Sequence, residues 1–235
     1  MSASLEIKLC GLTRPDDAIA CVEAGADAIG IVFHAASPRH VNPAQAREIV
    51  RALPPGFPVI GVFADSPADT VAQTADAAGL RIVQLHGRED AATLAFLLGH
   101  GLRVVKVLKT SGAALLGEAR TLPSECGILV ECGKGPLPGG NAAAWDWADA
   151  APLAGVRPFA LAGGLTPENV TLAILAARPS AVDLSSGVEN SPGRKSLEKS
   201  RRLVENVRRI GITWPVAPVF GSTGPKGKRP CPDNR

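Results

Sequence analysis

The chain reads LAGGLTPENV at 161–170 and VDLSSGVE at 182–189, two glycine turns separated by roughly a dozen residues. Each closes a short apolar run, and the first leads straight into a stretch with helical start signals. Both therefore read as strand ends that present backbone N–H groups, the arrangement by which main chain binds phosphate. Glycine there lets the backbone approach a ligand closely. In an eight-stranded α/β barrel the phosphate site commonly lies in the loops after the seventh and eighth strands. Either turn alone reads equally well as an ordinary loop. The pair, in register with six earlier strand–helix units, predicts both a barrel and a phosphorylated small molecule.

Upstream of these turns, apolar runs alternate with Ala-rich helical stretches. Strands are expected at 6–9, 28–32, 59–63, 81–85, 103–108, 127–131, 158–161 and 181–184, which is the count a closed barrel needs. Most of these runs are continuous rather than alternating, as suits parallel strands covered on both sides. Pro15, Pro43, Pro67 and Pro167 sit at expected first helical turns, with Asn42, Ser66 and Thr166 before three of them as N-caps. The helix after the fifth strand reads as weak. After Glu131 a long loop, CGKGPLPGGN, precedes a short helix. The fold class is thus α/β, a single (β/α)8 TIM barrel over 1–210. Residues 211–235, rich in Pro, Gly and Lys without periodicity, read as a disordered tail in which Trp214 and Phe220 are the candidate anchors.

With 235 residues and 46% hydrophobic but 4% aromatic residues, the chain suits one core of small and branched side chains. The net charge of +3 is matched by the excess in the last ten residues alone, so the body has no basic face for nucleic acid. Five cysteines without framework spacing, and no paired CxxC, argue for free thiols and against a zinc site. The N-terminus enters a strand pattern at once, and no apolar run is long enough to span a membrane. These features imply a cytoplasmic protein with no membrane partner, either monomer or homodimer.

Barrel enzymes build their sites from residues just past the strand C-termini. Cys10, Arg39, Asp65, His86 and Glu131 fall there after strands one, two, three, four and six, and Asp183 lies in strand eight. A thiol, carboxylates, an arginine and a phosphate cradle facing one mouth suit general acid–base chemistry on an anionic sugar phosphate. Structural alternatives stand beside each role. Cys10 can be a small buried hydrophobe, Arg39 a bridge to a helix carboxylate, His86 a loop histidine satisfied by backbone, and Asp65 a turn residue. Glu131 and Cys132 are adjacent, so only one faces the mouth, and Glu131 is favoured.

The segments KLCGLTRPDDA (8–18), GADAIGIVFHAASPRHV (25–41), VIGVFAD (59–65), VQLHGRED (83–90), LAGGLTPENV and VDLSSGVENSPGRKS (182–196) resemble, in order, the phosphoribosylanthranilate isomerase family of tryptophan biosynthesis. The resemblance covers about 5–209. It implies an Amadori rearrangement of phosphoribosylanthranilate with no metal or cofactor. It places the general base on Cys10, the anthranilate-contacting arginine on Arg39, and the eighth-strand aspartate on Asp183. It places the phosphate loops on Gly163, Gly164, Ser186 and Gly187, and leaves His86 as a substrate-side candidate. One departure stands out: the family's general acid is an aspartate, whereas this chain has Glu131, with Asn141-Ala142 where Thr-Gly is usual. The extra methylene moves an extended carboxyl by about 1.5 Å. This leaves two further readings: a catalytically impaired paralogue that keeps the phosphate site, and an isomerase of another phosphoribosyl substrate.

Overall fold

In the computed structural model, described for residues 4–109, 114–131 and 145–221, eight parallel strands close on themselves in sequence order. They are β1 (Glu6–Cys10), β2 (Ala28–Val32), β3 (Val59–Phe63), β4 (Ile82–Leu85), β5 (Arg103–Lys109), β6 (Gly127–Glu131), β7 (Phe159–Leu161) and β8 (Ala181–Leu184). Closure is made by β1 against β8, where Lys8 lies level with Asp183. The expected strands recur within one residue at every end. The Asn141-Ala142 turn and Cys132 lie outside the described residues.

Helices α1 (Pro15–Ala24), α2 (Pro43–Arg51), α3 (Ala68–Ala78), α4 (Ala91–Gly99), α5 (Ala114–Thr121), α6 (Val170–Ala177) and α7 (Leu197–Arg208) surround the barrel. Asn42 caps α2 in a reciprocal capping box with Gln45. Two expected caps are displaced. Pro67, not Ser66, occupies the N-cap of α3. Thr166 instead opens a turn, its N–H donating to Asn169 Oδ1, and α6 begins after Asn169. After β6 the barrel carries a 3-10 segment, Trp147–Leu153, with Pro152 inside it. That ring has no N–H to donate, which suits a short, tight connection.

The main core lies between strands and helices, with Ile7, Leu9, Ile29, Ile31, Val83 and Leu85 all fully buried there. The barrel interior is a separate cluster of mostly small residues, including Ala28, Ala160 and Ala181, joined by Ile60, Ile82, Val105 and Leu129. Val219 and Phe220 complete that cluster, so the stretch 211–221 is packed against the barrel. The first part of the expected tail thus meets the barrel through Trp214 and Phe220, the anchors named from the sequence. Trp214 Nε1 donates to Pro179 O at 2.9 Å, and the Val219 and Phe220 N–H groups donate to Glu6 Oε2 at 2.6 and 2.9 Å. These contacts are long-range, which is why the local composition offered the anchors but not their partners. Residues 222–235 lie outside the described residues.

Candidate active site

Alternation along β1 sends Ile7 and Leu9 toward the helices and turns Glu6, Lys8 and Cys10 into the barrel. Lys8 is 0% exposed and donates from Nζ to Asp183 Oδ2 at 2.7 Å and to Gln84 Oε1 at 2.9 Å. Lys8 and Cys10 both pass over Gly30, where an added Cβ would stand 2.5 Å from Cys10 Sγ and 3.0 Å from Lys8 Cε. Burial is the largest influence on the Cys10 thiol and pushes it above its ordinary value, while Lys8 and Lys195 pull it down and Asp183 pushes it up. Burial alone would lower the Lys8 ammonium, but Asp183 and Cys10 outweigh it and hold Lys8 above its usual value. Asp183 spends one carboxylate oxygen on Lys8. Its Oδ1 is buried with no hydrogen-bond partner among the described residues.

Across the barrel, Glu131 ends β6 and its Oε1 lies 2.5 Å from His86 Nε2. His86 Nδ1 is 3.3 Å from Gln84 Nε2, so Gln84 links this pair to Lys8. Strand β6 stands three places from β1 around the ring, which puts thiol and carboxyl on opposite walls. The loop after β4 is fixed from below. Lys106 Nζ donates to Gly87 O and to Glu89 Oε2, both at 2.6 Å, and the Arg88 N–H donates to Asp65 Oδ1 at 2.7 Å. Asp65 thus serves as the turn residue of its alternative reading, at φ 53.

Arg39 lies across Gly11, where an added Cβ would be 2.5 Å from its Cδ. Its guanidinium donates to Glu189 from Nε at 2.9 Å and from Nη2 at 2.7 Å. That bidentate hydrogen bonding raises its pKa. Glu189 opens β9 (Glu189–Ser191), which pairs with β10 (Arg194–Lys195). It also accepts from Lys195 Nζ at 2.7 Å. Burial would raise the Glu189 carboxyl, but Arg39 and Lys195 overcome it and hold it below the usual range.

The two glycine turns meet. Gly163 and Gly164 have φ of 88° and 66°, values that side-chain-bearing residues rarely adopt. Gly187, in the 3-10 turn Ser186–Val188, packs so closely that a Cβ would collide with the Leu165 carbonyl. A cleft of about 340 Å³ lies here, lined by Gly164, Leu165, Thr166, Ser186 and Gly187, with Glu168 and Lys199 also on its wall. Gly163 is not on that wall. The Trp145 and Trp147 indoles donate to the carbonyls of Ala162 and Gly163 at 3.0 and 3.2 Å, tying the first turn to the segment before it. With this cleft as the phosphate site expected from the sequence, Gly187→Ala is expected to raise KM by about 10- to 100-fold with little change in kcat, the loss of one or two amide bonds to a charged group. Steady-state kinetics of the purified variant checks it.

The structure brings Cys10, Asp183, His86 and Glu131 into one connected interior and sets Arg39 and the glycine turns beside its mouth. Sequence reasoning missed Lys8, Gln84, Glu189 and Lys195. The available signal was burial: a strand covered on both sides has no solvent face, so charged residues within it must be paired.

A parallel barrel that opposes a thiol to a carboxyl above paired glycine loops defines an enzyme class suited to acid–base isomerisation of an anionic sugar. Residues 7–206 match the family model of N-(5'-phosphoribosyl)anthranilate (PRA) isomerase. An N-(5'-phosphoribosyl)anthranilate isomerase of Desulfatibacillum aliphaticivorans is 43% identical over 217 residues, 92% of this chain and 99% of that relative. The solved phosphoribosyl anthranilate isomerase of Thermotoga maritima superposes with a TM-score of 0.80 at 34% identity, covering 88% of this chain and 100% of that one. A phosphoribosyl anthranilate isomerase solved with reduced 1-(o-carboxyphenylamino)-1-deoxyribulose 5-phosphate gives 0.78 at 34% identity, with coverage of 88% and 100%. The chain belongs to the phosphoribosylanthranilate isomerase family, and its activity is the aldose–ketose type isomerisation of tryptophan biosynthesis.

Proposed function

We propose that Cys10 is the general base and Glu131 the general acid of this isomerisation. The observation that carries it is the placement of both side chains inside the barrel, at the last residues of β1 and β6. Glu131 protonates the ribose ring oxygen, the C1–O bond breaks, and the nitrogen lone pair forms an iminium ion. Cys10 then removes the C2 proton. The C2–H electron pair becomes the C1–C2 double bond while the iminium electrons return to nitrogen, giving an enolamine that tautomerises to the ketone. Nitrogen is the electron sink, so the electrons balance without an external carrier.

Asp183 Oδ1, buried and unpartnered among the described residues, suits acceptance of a bond from a ribose hydroxyl. His86 orients the Glu131 carboxyl through their contact. Arg39 is the group for the anthranilate carboxylate, held in place by Glu189. The phosphate lies against the amides of Gly164, Ser186 and Gly187, which line the cleft, with Gly163 shaping the turn behind them. We assign the protein to the cytoplasm, supported by the biosynthetic family and by the free thiols of Cys10, Cys21 and Cys126. Among the described residues, no helix is long and apolar enough to cross a membrane.

Glu131→Gln is expected to lower kcat by about 10²- to 10³-fold, because the amide keeps the shape but cannot give up the proton. Steady-state turnover of phosphoribosylanthranilate tests the role, and an unchanged kcat refutes it. The impaired-paralogue reading rests on the longer side chain. Glu131→Asp raising a very low wild-type rate by orders of magnitude would favour it.

A further inference from the structure

The barrel interior is undersized on several walls. Ala28, Ala160 and Ala181 are among its inward residues, and Gly127 stands with Val219 O 3.1 Å from where its Cβ would be. Barrels of this kind ordinarily fill that space with large branched side chains from the strands. Here the filling comes from outside the barrel sequence. The segment 211–221 lies beyond the family-matched residues 7–206 and carries Phe220 to 0% exposure among the interior residues. Glu6 Oε2 accepts from two successive N–H groups, Val219 and Phe220, which fixes the height of the ring. The Phe220 centroid then lies 5.6 Å from Lys8 Nζ, within range of a cation–π contact in a dry site.

Lys8 stands between that ring and the chemistry. Its ammonium is bonded to Asp183 and Gln84, and its stem shares the Gly30 surface with Cys10. We infer that Phe220 is a positioning residue for the isomerisation, closing the barrel floor and holding the Lys8 ammonium against Asp183 and beside Cys10. The inference rests on the reading of Cys10 as the base. Phe220 touches no reacting atom and acts only through Lys8. Without the ring, water and empty space lie under Lys8, and less positive charge is held at the sulfur. The other charged groups that act on Cys10 are Asp183, Lys195 and Arg39. Glu6, two residues before Lys8, is the remaining inward charge on the same wall and accepts from the Val219 and Phe220 N–H groups, while the Phe220 ring lies 5.6 Å from the ammonium.

The test uses the full chain with Phe220→Ala and Phe220→Leu, measuring kcat, KM, the pH dependence of kcat/KM and thermal melting. Phe220→Ala is expected to lower kcat about tenfold or more, since small displacements in a catalytic array are costly, with KM changed less than about twofold. In this variant loss of charge at the sulfur and relief of the thiol's burial act in opposite directions on the rising limb of kcat/KM, so the limb is read in the second variant. Phe220→Leu keeps a dry apolar floor without a ring face, and is expected to lose about threefold in kcat and move the rising limb of kcat/KM to higher pH. It decides the matter even if Phe220→Ala does not fold. A Phe220→Leu protein with wild-type kcat and an unshifted limb overturns the inference, whatever its melting temperature. Failure of the underlying site reading looks different: Cys10→Ala then retains the full rate. An inactive Cys10→Ala beside a normal Phe220→Leu removes the Phe220 role alone.

Discussion

Replacing Cys10 by alanine is expected to lower kcat/KM by about three orders of magnitude, with a folded protein and a substrate still bound. A general base contributes about 10²- to 10⁴-fold, and nothing else described on β1 can take its place. The residue above it, Gly11, has no side chain, and Lys8 is an ammonium engaged by Asp183. Stability should fall by only about 1 kcal/mol, because the deleted group is one sulfur in a site 8% exposed. The wild-type pH profile supplies an independent check. Burial holds the thiol above its ordinary value, so the thiolate is scarce near neutrality, and kcat/KM is expected to rise as pH increases through the alkaline range. That rise should vanish with Cys10. A Cys10→Ala protein that turns over normally, or keeps the same limb, excludes the assignment.

The barrel was legible because several of its strands are hydrophobic over their whole length. A run such as VIGVF, repeated between helical stretches, suits a parallel sheet wrapped by helices, and VIGVF is β3 in the structure. The site was legible to the extent that chemistry collects at strand ends: Cys10, His86 and Glu131 stand at or just past the ends of β1, β4 and β6. Lys8 was less visible for a physical reason. In EIKLC, polar and apolar residues alternate, the pattern of a strand with one wet face. In a closed barrel that second face is the interior, so alternation there signals a buried polar network. Gln84 in IVQL follows the same logic. Arg39 was read either as a substrate contact or as a bridge to a helix carboxylate, and the carboxylate it meets is on a strand instead. It bridges to a carboxylate, that of Glu189 on β9, and it lies beside the mouth. The partner was hidden because 150 residues separate the two in sequence. The same blindness to distance applies to Phe220, whose destination is set by Glu6 at the other end of the chain.

Lys8→Met is expected to destabilise the protein by about 3–5 kcal/mol, because it leaves the Asp183 carboxylate buried without its cation. For a chain of this size, that corresponds to a fall in melting temperature of very roughly 6–20 °C. The estimate follows from the geometry: the pair is 2.7 Å apart, with side chains 0% and 7% exposed, so solvent screens it little. Activity should fall as well, since the thiolate at Cys10 loses its nearest ammonium. The double variant Lys8→Met/Asp183→Leu separates the two effects. Removing both charges replaces an ion pair by apolar volume, a change that is often neutral or stabilising, so most of the melting temperature should return. Activity should not return, because the Asp183 carboxyl proposed to accept from a ribose hydroxyl is gone and the charge beside Cys10 is still missing. Differential scanning calorimetry and turnover on the same preparations read both quantities. If the single variant melts like the wild type, the pair is not the buried contact its distance indicates. If the double variant regains activity along with stability, Lys8 and Asp183 serve the fold alone.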